Sequence, residues 1–387
     1  MSWRGVLAWA HGAHHVPAVA LRDHAARLRA AAGLDEAPIV SAAGLWLLLA
    51  AVAETVTERA DRAAVEDVLG VPVATATGTV TALLADPHPA VGAALGGWLR
   101  PDLTLSRALP GPVPVAALPG QAALDAWARE HTRGLIERFP VEVDADTLLL
   151  LASALVTEPR WRRPLGTDDD GLLLLDGELQ AIVATEAAGP VAVAAPPTAD
   201  GIDVLSVVAA PGVAAADVWQ AVDEVVARHL GGALAHGDRP AGALADGHAW
   251  RVAERTERFE AWGAPEDGAE VWTGRLPAWQ ADATHDLTGA PGVTEVGHGL
   301  GALLPPEATA RGIDLQCVQA ATASYDADGF RAAAVTALSV RAAGMPSYVD
   351  RRVRRVTVTY DRPHALVALA RGGAWEGVPL FHAWVRP

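Results

Sequence analysis

Side chains with catalytic or ligating potential fall into four groups. His11, His14 and His15 carry imidazoles that can bind a metal or titrate near neutral pH. No nearby carboxylate or Cys completes a ligand set, so the cluster reads as a frayed, titratable terminus. Asp168, Asp169 and Asp170 could hold a cation, but directly after Gly166-Thr167 they read as a solvated turn. Cys317 is the sole cysteine, which excludes an intrachain disulfide and any multi-thiolate zinc site. Its place in an expected strand makes it an inert buried thiol rather than a nucleophile. The 13 Trp are scattered along the chain, as packing residues are, rather than gathered into a ligand platform. There is no GxGxxG after a strand, no Walker loop, no HExxH and no GxSxG. No cofactor or metal is expected.

Charge narrows the partners. Asp and Glu number 46 against 30 basic residues, giving a formal charge of -16, and every basic residue is Arg. An acidic, lysine-free surface argues against nucleic acid. Hydrophobic residues make up 51% and charged residues 20%, a composition that folds, yet no apolar run approaches the roughly 18 residues of a membrane span. Arg4 and the short apolar run Gly5 to Ala10 start like an export signal, but the histidines interrupt it. The expected compartment is the cytoplasm.

The elements that must position any site follow from periodicity. Helices are expected over Ala18 to Ala32, over Ala42 to Ala53 behind a Ser41 cap, over Asp61 to Leu69 before Gly70, and over Gln121 to Phe139. Thr147 to Val156 is apolar without alternation, which suits a strand buried on both faces. Short strands follow at Leu172 to Leu175, Leu179 to Ala184, Val191 to Ala195 and Val204 to Ala209, then a helix at Ala215 to Leu230. Strands return within Trp250 to Trp272, at Leu315 to Tyr325, within Val353 to Leu369 and at Leu380 to Val385. Helices early and strands late indicate α+β, and no linker or repeat divides residues 1–387, so one domain is expected.

Several segments share a family likeness. Asp144 to Leu165 resembles the serpin signature, in which a Thr opens a long central strand and a Trp follows at fixed distance; here these are Thr147 and Trp161, followed by Pro164-Leu165. Leu124 to Ile136 resembles the serpin helix motif ending Thr-x-Gly-x-Ile. Val40 to Gly70 resembles the Ser-Pro-x-Ser helix and its successor. Leu276-Pro277-Ala278-Trp279, Asp286-Leu287 and Gly292-Val293-Thr294 resemble the Leu-Pro-x-Phe stretch and its sequel. Tyr360 to Pro363 and Pro379 to Pro387 resemble the carboxy-terminal strands. These matches run in order along nearly the whole chain, which resembles a divergent bacterial-type serpin. The likeness implies a large central sheet holding Thr147–Val156 beside Leu315–Tyr325, smaller sheets, and an N-terminal helical cluster.

Serpin-like function implies an exposed reactive loop, here about 329–352. A serine protease cleaves it, and the amino-side segment enters the central sheet as a new strand. About 15 residues gaining one ladder hydrogen bond each, at ~0.5–1.5 kcal/mol net, release on the order of 10–20 kcal/mol. Gly329 opens the hinge; Phe330, Ala332, Ala334 and Thr336 then face inward, and no charge falls on that face. Counting about fifteen residues from Gly329 puts the reactive bond between Ala343 and Gly344, with Arg341 and Met345 as runners-up. A small Ala suits an elastase-like or subtilisin-like protease. The family's sheet-opening cluster of Ser, Ser, Asn and His maps to Ser41, Gly44, Ser153 and Gln319, with Trp161 counted beside them. The loop is also longer than usual by about eight or nine residues, and Arg351, Arg352, Arg354 and Arg355 fall in the extra part. The implied molecule is a monomeric protease inhibitor. The alternatives are a non-inhibitory scaffold that binds a ligand or partner, and a scaffold recruited as a biosynthetic enzyme.

Overall fold

The computed structural model describes residues 3–176, 179–240, 249–310, 315–331 and 347–387. The first third holds helices α1 (Trp3–Ala32), α2 (Ala42–Val52), α3 (Arg59–Leu69) and α4 (Val73–Ala85), then strands β1 (Val91–Leu99) and β2 (Val115–Ala117) and helix α5 (Gln121–His131). Next come strands β3 (Leu149–Thr157), β4 (Gly166–Thr167), β5 (Leu173–Asp176), β6 (Leu179–Thr185), β7 (Gly189–Ala195) and β8 (Ile202–Val208), followed by α6 (Ala215–Leu230). Strands β9 (Trp250–Glu260), β10 (Glu270–Leu276) and β11 (Trp279–Asp286) precede α7 (Val293–Gly301) and α8 (Pro306–Thr309). The chain closes with β12 (Val318–Tyr325), β13 (Phe330–Arg331), β14 (Tyr348–Thr359), β15 (His364–Ala370) and β16 (Pro379–Val385).

Helix α2 is the axle of the packing. It is apolar on every side, and all its residues but Leu48 are buried, as befits a helix enclosed by other elements. Ser41 caps it, its Oγ accepting from the Gly44 N–H at 3.2 Å. The Trp46 indole N–H donates to the Leu69 carbonyl at 3.1 Å, locking α3 alongside. Gly70 ends α3 in the left-handed conformation. Strands β15 and β16 are buried along their whole length. They belong to a five-stranded sheet ordered β16-β15-β8-β7-β6, which packs one face on the α2 core and the other on α6.

Two elements escape the sequence patterns. Helix α4 is built on Val73, Thr75, Thr77, Thr79, Val80 and Thr81, poor intrinsic helix formers that only packing makes helical. Strand β1 carries Gly92, Gly96 and Gly97, residues depleted in strands. The backbone needs them. A Cβ at Gly96 would lie 2.5 Å from the Trp98 ring, and one at Gly92 2.6 Å from Val156.

Four expectations require correction. Helix α1 starts at Trp3, not Ala18, and holds His11, His14 and His15 within its span; Ala and Leu favour the helix across that stretch. Helix α5 stops at His131, because Arg133 and Gly134 adopt positive φ, 53° and 87°. Strand β3 alternates between buried and half-buried positions rather than being buried on both faces. Last, the central sheet is not continuous. Among the described strands β2-β1-β3 and β11-β12-β13 are separate three-stranded sheets, with no ladder between β3 and β12. The side chains along both facing edges line a cavity, described below, in place of a shared ladder.

Buried histidines make this core sensitive to acid. Burial pushes the pKa of His24 down to about 4 against the pull of its bond to the Val68 carbonyl, and burial does the same to His364 against its bond to Arg362. An unfolded His titrates near ~6.5, so the unfolded chain binds these protons first as pH falls. Stability is therefore complete above about pH 6.5 and lost progressively toward pH 4. The urea midpoint is expected to fall between pH 7 and pH 5, and His24→Leu to shrink that fall by roughly 2 kcal/mol. Equal falls in both proteins would refute the assignment.

Candidate functional site

The site is a seam. The edges of β3 and β12 that face one another pair with no other described strand, except where β13 joins Ser324 and Tyr325. Between them lies a cavity of about 200 Å³, floored by Leu45, Leu48 and Leu49 of α2 and covered by Trp127 and Ala128 of α5 with Leu135, Ile136 and Phe139 beyond it. Helix α5 is held down by aromatic contacts: Trp98 meets Trp127 edge-on at 5.2 Å and Phe139 at 6.0 Å.

At one end the seam is closed by the chain after β12. Asp326 starts a tight turn, its carboxylate accepting from the N–H groups of Asp328 at 2.8 Å and Gly329 at 3.1 Å. The chain reverses, and β13 pairs antiparallel with β12, Phe330 opposite Tyr325 and Arg331 opposite Ser324. On its other side Gly329 bridges Arg160, just past β3, with Phe330 N–H donating to the Pro159 carbonyl at 3.1 Å and Trp161 N–H to the Asp328 carbonyl at 3.0 Å. This segment is thus shared by both half-sheets. Gly329 is obligatory: a Cβ there would stand 2.4 Å from the Pro159 oxygen. Phe330 is buried, edge-on to Trp279 at 6.2 Å. Tyr325 packs between Trp161 at 5.0 Å and Trp279 at 6.3 Å. Burial drives the Tyr325 hydroxyl pKa far upward, and it stays neutral.

Further along the seam, Ser41, Gly44, Ser153 and Gln319 converge. Gln319 makes a two-way clasp with Ser41, accepting its N–H on Oε1 at 2.9 Å and donating Nε2 to its carbonyl at 2.8 Å. Ser41 Oγ donates to Leu380 O at 2.8 Å, tying in β16, and Ser153 Oγ donates to Gly44 O at 2.7 Å, tying in β3. Gly44 faces the polar atoms of all three partners, which a Cβ would meet at 3.4 to 3.6 Å. Both half-sheets are therefore fastened to the start of α2. Trp161 is not part of this group. It packs tilted against Tyr325, six residues along β12 from Gln319 and so roughly 20 Å away, and donates its indole N–H to Asp326 O at 2.9 Å.

No family model matches this chain, and no curated protein matches its sequence. Solved structures do match its shape. Tengpin, a thermophilic serpin in the native state, aligns with a TM-score of 0.59 at 14% identity, over 94% of this chain and 93% of that one. A highly specific serpin of the insect Tenebrio molitor gives 0.60 at 13% identity, over 95% and 97%. Thyroxine-binding globulin in complex with thyroxine gives 0.63 at 13% identity, over 95% and 98%. The chain has the serpin fold.

Within that serpin fold the other expected residues fall as follows. Ala332, Ala334, Thr336, Arg341, Ala343, Gly344 and Met345 lie outside the described residues. The exposed loop does not run from 329 to 352: Gly329 and Phe330 are built into the seam, and β14 begins at Tyr348. Strand β14 absorbs the Arg-rich extension because it gains a partner, β9, along its length. Arg355 clamps Glu257 through Nε at 2.7 Å and Nη2 at 2.5 Å. Burial and the Asp286 charge push the Cys317 thiol up to about 11, which leaves it unreactive at neutral pH. Asp168 and Asp170 are both engaged by Arg275, at 2.7 and 2.6 Å, which consumes the candidate cation site. Among the described residues no cluster could hold a metal. Asp326 and Trp279 were missed as site residues, although Asp-x-Asp-Gly is itself a turn signal.

The Gln319 clasp makes a direct prediction. Gln319→Leu strands the Ser41 N–H and carbonyl and should lower stability by ~1–3 kcal/mol. An unchanged urea midpoint would show that the clasp contributes nothing.

Proposed function

We propose that this protein inhibits serine proteases by loop cleavage followed by insertion of the cleaved segment between β3 and β12. One observation carries this reading. Strand β13 enters the seam antiparallel to β12 and is held on both sides.

The β12–β13 register supports a pairing for the inserted strand. Tyr325 opposes Phe330 and Ser324 opposes Arg331. Continued by the same count, Ala332 meets Ala323, Ala334 meets Ala321, and Thr336 meets Gln319. Small residues thus face small ones, and Thr336 arrives at the polar clasp, where a hydroxyl can replace a bond that opening breaks. Phe330, bulky for a hinge, is no obstacle, since it is already packed against Trp279 inside the sheet. The ladder edges of β3 and β12 supply the backbone partners, and each new bond contributes ~0.5–1.5 kcal/mol.

The partner is a protease with a shallow primary pocket, elastase-like or subtilisin-like, cutting between Ala343 and Gly344. On incubation with elastase, a covalent complex resistant to denaturant should appear, mass spectrometry should place the new carboxy terminus at Ala343, and the melting temperature should rise sharply. Thr336→Arg, which brings a charge to the clasp, should be cleaved at the same bond but form no complex. Cleavage of the unaltered protein with neither complex nor thermal gain would overturn the inhibitor reading and favour a binding scaffold.

A further inference from the structure

Strand β9 is the outer strand of the five-stranded sheet β4-β5-β10-β14-β9, and β14 is its one strand partner among the described residues. We propose that residues 254–258, along the outer edge of β9, pair antiparallel with the same residues of a second copy, about a twofold axis through Thr256, giving a dimer in place of the single copy expected from the sequence.

The backbone parity comes first. Ala261 N–H donates to Ser347 O at 2.7 Å, and Thr359 N–H donates to Ala249 O at 2.8 Å, one at each end of the β9–β14 ladder. The register between them is unbroken. Antiparallel pairs alternate, so odd-numbered residues of β9 turn their N–H and C=O toward β14. Glu254, Thr256 and Arg258 therefore turn theirs outward, and all three are exposed. An edge of this kind is a template for another strand unless its side chains forbid it.

Here the side chains forbid every nearby register but one. With Thr256 opposite Thr256 of the second copy, Glu254 faces Arg258 of the second copy and Arg255 faces Glu257 of the second copy, and twofold symmetry repeats both pairs. Moving the axis one residue places Arg255 on its own counterpart in one direction and Glu257 on its own in the other. Moving it two residues does the same with Glu254 or Arg258. Among the described residues Glu254 and Arg255 have no ion-pair partner within the chain; Glu257 already holds Arg355 and would share its carboxylate.

Sedimentation velocity of the full chain over a concentration series tests this. The unaltered protein should dimerise reversibly, more weakly at high salt. Glu254→Arg and Arg258→Glu should each weaken association about tenfold or more, because each puts like charges opposite one another twice. The double variant Glu254→Arg/Arg258→Glu restores opposite charges and should return association to the unaltered level. Thr256→Pro removes an outward N–H without touching the β14 ladder, so it should abolish the dimer and leave the melting temperature of the monomer intact. A chain that stays monomeric to ~100 µM, a double variant no better than the single ones, or a dimer that survives Thr256→Pro would overturn the proposal.

Discussion

A single backbone crossing governs the architecture: the contact of Gly329 and Phe330 with Pro159 and Arg160. It is the place where one short strand is shared by β3's end and β12's end. The Trp161 N–H to Asp328 carbonyl bond and the Leu165 N–H to Ala327 carbonyl bond extend the same junction. The contact is possible because Gly329 has no Cβ and because the Asp326 carboxylate holds the turn that delivers it. The aromatic group of Trp161, Tyr325, Trp279 and Phe330 shields these bonds from water, which strengthens them.

The rest of the seam differs in kind. Its walls are mostly apolar, its floor is the enclosed helix α2, and the clasp of Ser41, Ser153 and Gln319 stands among its polar lining. A ladder between β3 and β12 is replaced by side-chain bonds that run from each half to the start of α2. Such an arrangement separates the cohesion of the fold from the cohesion of the sheet. The halves are each anchored to the core, so a strand can enter between them without dismantling either. That is the mechanical requirement of the function proposed for this serpin fold.

Strands β9 and β14 show the same economy at the surface. The Arg-rich stretch reads from sequence as surplus loop, yet it forms half of an antiparallel ribbon whose charges are arranged in opposed pairs, with Arg355 against Glu257 and Arg258 over the Tyr348 ring. Charge on a strand edge normally keeps other strands away. In β9 the signs alternate about Thr256, and the pattern discriminates among registers instead of rejecting all of them.

Much of this was legible in the chain by itself. Helix α2 with its Ser41 cap, α3 with its Gly70 stop, the strands β5 to β8 and β16, and the family likeness carried by Thr147, Trp161 and their neighbours all follow from local chemistry, because caps, turns and apolar runs act over a few residues. The grouping of Ser41, Gly44, Ser153 and Gln319 was also legible, but only through the resemblance. Their bonds join positions as far apart as 41 and 319, and no spacing rule connects them. Tertiary structure alone decided three things. It made α4 a helix and β1 a strand against their own propensities, since burial against α2 and close approach to Trp98 and Val156 outweigh intrinsic preferences of under about 1 kcal/mol per residue. It moved Trp161 from the clasp to the hinge. And it divided the central sheet along β3 and β12, because whether two strand edges bond or stand apart depends on what packs above and below them, which no stretch of either strand encodes.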